Sequence, residues 1–389
     1  MRFTAVVLLA LMLSLSPPPA PAADTNDAQT NLGNNAAMKY WAGFALLPTL
    51  DHDQEHLLES WNKVPLDVTA QSLIQRSALS RQYLHRGTSL PRCDWSLDYD
   101  DGIRLLLPHL GKSLTLARLT ALHARQEFEQ GHWQSGWDDV SDLLILARHV
   151  EVTPIMIANL VGYRIESIAI DVAAPWLSEL NTALPARAFD LLETLPERPT
   201  LTQLVTTETQ MGPVWMMGEL KQVEQQMPGR WRTVWKEILV GSSEESDPSL
   251  REFAESVKTL DQALQKLEAH IAMNQQLEKL TSLPWKEFDL RYGEFVTQLK
   301  SENPQGGFLL PNLHKGAAAQ RRAITHMALF TAARLVVVGG ADKVKTTSDP
   351  FADGPFEYRA LPNGFELKSK FEFKESPLSL TVGRPPRRR

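Results

Sequence analysis

The chain has 389 residues, of which 43% are hydrophobic and 22% charged, and its formal net charge is −6. This is the composition of a globular protein with a real core, one large domain or two modest ones. Its acidic balance offers no electrostatic footprint for nucleic acid. Cys93 is the single cysteine, so no internal disulfide can form and stability has to come from packing.

Residues 1–22 read as a secretory signal peptide. Arg2 gives a short positive start, AVVLLALMLSL (5–15) is the apolar stretch, and Ala20 and Ala22 set up cleavage before Ala23. The apolar run falls short of the roughly 20 residues a bilayer span takes. No cysteine follows it and no Arg-Arg pair precedes it, which points away from the lipoprotein and twin-arginine routes. The expectation is export by the general secretory route to the periplasm or beyond, with no transmembrane anchor after cleavage. The short apolar segment 331–341 carries Arg334 and reads as a buried helix end.

Residues 23–33 are polar and read as a flexible mature N-terminus, and a helical domain is expected over 34–340. Asn34 or Asn35 can cap a first helix that Pro48 ends, Asp51 a second over 52–62, and Asp67 a third over 68–86 that closes near Gly87. After an irregular link (88–102) comes a long hairpin. Its arms cover about 103–130 and 134–150, Pro108 marks a kink or a fresh start, and Gly131 stands at the C-cap. A helix over 155–173 and a shorter one after Pro185 follow, then broken segments over 200–240. Asp247 and Pro248 suit the start of a helix that the pattern makes the longest. Its residues Leu250, Phe253, Val257, Leu260, Leu264, Leu267 and Ile271 form a heptad seam. The favoured partner for that seam is the neighbouring helix 284–301, with self-association through 250–271 as the alternative. After a helix over 315–338 the period changes to two. FEYRAL (356–361), the turn Pro362-Asn363-Gly364, FELKSKFEFK (365–374) and Leu378, Leu380 and Val382 predict a small antiparallel sheet over 349–383, laid on the helices. The tail 384–389, with Arg387, Arg388 and Arg389, reads as disordered and solvated. The fold class is therefore mainly α, an irregular array of helical hairpins with a C-terminal β-hairpin or three-stranded sheet. No repeat of fixed period emerges.

Several motifs invite a chemical reading. His52-Asp53-Gln54-Glu55-His56 matches a zinc-hydrolase pattern. At about 100° per residue, however, both histidines turn away from the stripe of Leu57, Leu58 and Trp61, so a solvated first turn is the better reading. Asp94, Asp98, Asp100 and Asp101, and separately Asp349 and Asp353, offer the oxygen ligands calcium prefers. The first group lacks the glycine and the closing glutamate of a calcium loop, and both groups read as turns and caps. Ten tryptophans could stack on sugar rings, but pairs such as Trp231 with Trp235 and Trp133 with Trp137 keep helical spacing and read as core. Cys93 reads as buried and inert. There is no Gly-rich phosphate loop and no nucleophile elbow. The sequence assigns no catalytic, cofactor-binding or metal-ligating residue.

The segments CDWSLDYDDG (93–102), LLPHL with the following ARLTALHARQEFEQGHW and WDDVSDLLILARHV, NNAAMKYWAGFALLP and DPFADGPFEYRALPNGFELKS together resemble a family of exported helical bacterial proteins with no assigned activity. The DPF…G…Y…GF segment is also similar to the C-terminal hairpin of the major pseudopilins of type II secretion. That second resemblance implies an assembly subunit whose hairpin calcium would stabilise. Export, helical hairpins and the lack of a convergent catalytic set lead to the main expectation: a non-enzymatic envelope protein that works as a scaffold or interaction module for protein partners. The alternative is an exported helical hydrolase or lyase acting on cell-wall or polysaccharide material, with acids and bases drawn from Glu127, His132, Asp138 and Asp139 near the hairpin turn.

Overall fold

The computed structural model describes residues 33–241, 248–302, 313–373 and 376–384. The expected signal peptide, most of the mature N-terminus, Asp247 and the tail arginines lie outside the described residues.

The architecture is mainly helical, with a three-stranded antiparallel sheet at the C-terminus. Helix α1 (Ala36–Ala45) starts at Asn35, whose side chain accepts from the Ala37 amide at 3.1 Å. The same side chain donates to the Asp94 carbonyl at 2.7 Å and accepts from its amide at 2.9 Å, so one cap also ties α1 to the irregular link. Asp51 opens α2 (His52–Glu59) in a reciprocal capping box with Gln54, and Asp67 opens α3 (Val68–Arg76). The single helix expected over 68–86 is in fact two. The chain bends at Ser77, whose hydroxyl donates back to the Ile74 carbonyl at 3.0 Å, and α4 (Ala78–Thr88) follows. Helix α4 closes at Thr88, next to Gly87 as expected, and a Cβ at Gly87 would fall 2.3 Å from the Tyr40 ring, so glycine there lets α4 pack closely on α1.

Helices α5 (Pro108–Gln130) and α6 (Trp133–Glu151) form the expected hairpin about Gly131, whose φ of +80° suits glycine. With α7 (Met156–Ala173) they build the main core, where Leu116, Leu119, Leu143, Leu146, Ile165 and Ile168 are fully buried. The short helices α8 (Leu177–Ala183) and α9 (Leu191–Thr194) close this body.

The chain then runs through α10 (Leu201–Thr209), a π-helical turn at Gln210–Val214, and α11 (Trp215–Gln226). Pro213 cannot donate to the helical ladder, which accounts for the widened turn. Next come α12 (Trp231–Val240), α13 (Pro248–Ser256), α14 (Leu260–Thr281), α15 (Trp285–Glu302) and α16 (Leu313–Gly339). The heptad seam is not one helix. It breaks between Ser256 and Leu260, where Thr259 caps α14 in a second capping box, and the longest helix is α16. Seam residues Phe253, Val257 and Leu267 bury against Trp231, Trp235, Met216 and Leu220 of α11 and α12, so the seam's main partner is the segment before it and not α15. A third small core joins Val205, Leu277, Phe288, Leu313 and Ala317. Helix α16 is long and apolar enough to cross a membrane by length and composition, which the sequence reading did not anticipate. It links two cores, with Leu313 and Ala317 in one and Leu329, Phe330 and Val336 in the other.

Strands β1 (Glu357–Leu361), β2 (Gly364–Phe373) and β3 (Ser376–Val382) lie in the order β1-β2-β3. The turn at Pro362-Asn363 sets the register Leu361 to Gly364 and Tyr358 to Leu367. Phe365, Leu367, Leu378, Leu380 and Val382 bury one face in the main core, with β2 and β3 packed on α16. A register shift between Lys368 and Glu372 breaks the ladder, and there Asp349 accepts from the Ser369 hydroxyl at 2.6 Å and the Lys370 amide at 2.8 Å.

Candidate functional site

Titratable side chains gather where α4 crosses the α5–α6 hairpin. Helices α4 and α6 line a groove of about 430 Å³ with Arg81, His85, Ser135, Asp138, Asp139 and Asp142 among others. Asp139 and Asp142 stand three apart on α6, so both face the same side of that helix. Each is buried, and each has its own histidine. His85 Nδ1 lies 3.1 Å from Asp142, which also accepts from the Thr88 hydroxyl in a short hydrogen bond. His123 Nδ1 lies 2.5 Å from Asp139, and its Nε2 is 3.8 Å from Glu127. His132 Nδ1 completes the chain at 3.3 Å from the other Glu127 oxygen.

Burial pushes both aspartates up from the ordinary carboxylate range. For Asp142 it outweighs the opposing pull of Thr88 and His85 and brings the acid to about 6. For Asp139 the direction is the same, with His123 and Arg81 opposing it. The imidazole of His85 is 66% exposed while its carboxylate is only 10% exposed. A buried acid thus holds an exposed ring. Chemically, that arrangement can move a proton or receive a cationic or hydrogen-bonding group from a ligand.

Of the residues the sequence singled out here, Glu127, His132 and Asp139 come together, whereas Asp138 is exposed and bonded to Gln134 at 2.8 Å. His85, Thr88, His123 and Asp142 were not singled out. The spacing of Asp142 from Asp139 was a legible signal, but the crossing of α4 over the hairpin, which adds His85 and Thr88, has none in the sequence.

The other candidates resolve differently. His52 and His56 are both exposed at the start of α2. Asp94 accepts from the Ser96 amide at 2.9 Å and pairs with Arg92, and Asp98 accepts from the Asp100 amide, so these acids build turns. Among the described residues no group of three or more His, Cys, Asp or Glu is placed to hold a metal. Cys93 is buried, and burial pushes its thiol up, away from reactivity. Trp61, Trp95, Trp137, Trp176, Trp231 and Trp235 are all buried in cores.

A second charged cluster lies deeper. Arg148 Nη2 is 2.7 Å from Glu166 and Arg148 Nη1 is 3.2 Å from Glu151, while Arg198 makes a short contact to Glu166 and stacks on Tyr163. Burial raises Glu151 to about 7 despite both arginines. This closed quartet fastens the segment before α10 to α6 and α7.

Comparison with protein-family models, with curated proteins and with solved structures finds no match.

Proposed function

We propose that this chain is an exported envelope protein whose helical body serves as a binding scaffold, with the groove between α4 and α6 as its contact surface. One observation carries the reading: the groove's histidine, His85, is held by its own carboxylate, Asp142, while nearby His123 and His132 are paired separately with Asp139 and Glu127. Such a groove offers an exposed imidazole and partly desolvated acids to a partner's polar or basic side chains. Their ionised form is disfavoured by burial, so a cationic group from outside would relieve it. Export rests on the pattern of residues 1–22. Fractionation of cells producing the full chain tests that half: the mature product is expected in the periplasmic or extracellular fraction beginning at Ala23, and a cytoplasmic product beginning at Met1 would refute it.

A second reading has its own support. Asp139 and Asp142 are two acids raised by burial along one groove, a pattern that acid–base hydrolases of glycans share. On that reading Asp142→Asn abolishes release of reducing ends from cell-wall glycan while the fold stays intact. On the scaffold reading the wild type releases none.

A further inference from the structure

A separate cleft of about 1050 Å³ opens where the tip of the C-terminal sheet faces the helical body. We propose that it binds a short segment of electrically neutral glycan. The argument starts from its charges. Lys63, Arg125 and Arg384 bring three positive groups to the lining, and Glu129, Asp171 and Glu179 bring three negative ones. Two of the cations are already matched inside the chain. Arg125 Nε is 3.2 Å from Glu129, and Arg384 Nη2 is 3.3 Å from Glu179. Asp171 is set 3.5 Å from His326 Nε2 and accepts from the Ser167 hydroxyl at 3.3 Å; burial pushes its carboxyl up to about 6, with Arg164, Ser167 and Arg322 opposing.

A cleft of this kind has no net charge with which to select an anion or a cation. It does present guanidinium donors and carboxylate acceptors side by side, and Asn363 and Ser178 add an amide and a hydroxyl. Sugar hydroxyls are at once donors and acceptors, so alternating donors and acceptors match them where a polyanion or a polycation would meet its own sign at every second contact. These polar groups are held in place by the body of the protein: the Arg384 guanidinium lies 4.3 Å over the buried Trp176 ring, and the Trp61 and Val64 carbonyls accept from Arg125 at 3.1 and 2.7 Å. The volume reaches the top of the range of about 300–1,000 Å³ that ligand clefts occupy, enough for more than one sugar ring.

Titration calorimetry of the purified protein tests the proposal with four probes: cellotetraose, tetra-N-acetylchitotetraose, anionic tetragalacturonate and the cationic chitosan tetramer. At least one neutral tetrasaccharide is expected to bind with Kd below about 1 mM, and both charged probes more weakly than it. Arg384→Ala removes a donor at the rim, and Ser178→Trp obstructs the cleft from an exposed position that leaves the core untouched. Each is expected to weaken binding at least tenfold with an unchanged melting temperature. The proposal is overturned if neither neutral probe binds at that level, if a charged probe binds more tightly, or if both variants bind as the wild type does.

Discussion

His109 sits in the first turn of α5, fully buried, with neither ring nitrogen hydrogen-bonded. It stacks on Trp95 at 4.3 Å, with Trp41 edge-on at 6.4 Å. Burial lowers it to about 4, and burial does the same to His149, bonded to the Tyr40 hydroxyl at 2.6 Å, and to His326. A histidine lowered on folding binds more protons when unfolded. Its contribution is therefore fully present above its ordinary value near 6.5 and is lost as pH falls through about 4. The raised acids Glu151, Asp142 and Asp171 act the other way, favouring the fold as pH falls from about 7 towards 4. A difference measurement separates the two. His109→Phe keeps a flat ring on Trp95, so thermal melts should show a melting temperature at pH 7 equal to or above that of the wild type. Its loss between pH 6.5 and 4 should be smaller, and a variant with the wild-type pH slope contradicts the assignment. In the buried quartet, Arg198→Met leaves Glu166 and Glu151 short of a counter-charge and should cost about 3–5 kcal/mol in denaturant unfolding; a loss under 1 kcal/mol would contradict a structural role. Nothing at the residue scale announced either cluster in the sequence, since burial and partners come from helices far apart in the chain.

Among the elements, the end of the chain shows how far local patterning carries. The alternation of Phe365, Leu367 and Phe371 with charged residues, and the Pro-Asn-Gly turn, predict the hairpin that forms, because side chains alternate faces on a strand whatever surrounds it. The caps at Asn35, Asp51 and Asp67 and the glycine at 131 were legible for the same reason. What pattern could not supply was a break that keeps the helical period, as at Ser77 or between α13 and α14, since a capping residue inside an amphipathic run leaves the apolar spacing intact. Nor could it supply the role of Asp349, which reads as a calcium candidate yet already accepts from Ser369 and Lys370 at the irregular part of the β2–β3 ladder. With its oxygens engaged by the chain, a chelator should leave the melting temperature unchanged. Asp349→Ala should lower stability by about 1–3 kcal/mol by stranding those donors. A melting temperature that drops in chelator and recovers with calcium would contradict this and favour the pseudopilin-like reading.

Seen whole, the molecule is a main helical body carrying the sheet, joined to two smaller cores built by residues 201–317. The join is specific. Trp215 donates to the Asp100 carbonyl at 2.7 Å and lies on Gly102, where a Cβ would fall 2.1 Å from its ring. Gly102→Ala should therefore loosen the contact between the link and α11, read as faster amide exchange over 99–104 and 215–219 with the α5–α7 core unchanged. The groove between α4 and α6 lies on the main body, and the scaffold reading depends on its meeting a partner there. Replacing Gln82, an exposed residue of the groove lining, with a photo-crosslinking amino acid in living cells measures this most directly. A discrete adduct with one envelope protein, lost when Asp142→Arg reverses the charge beneath His85, is the predicted result. Illumination that yields no adduct, or one that Asp142→Arg leaves unchanged, would contradict it.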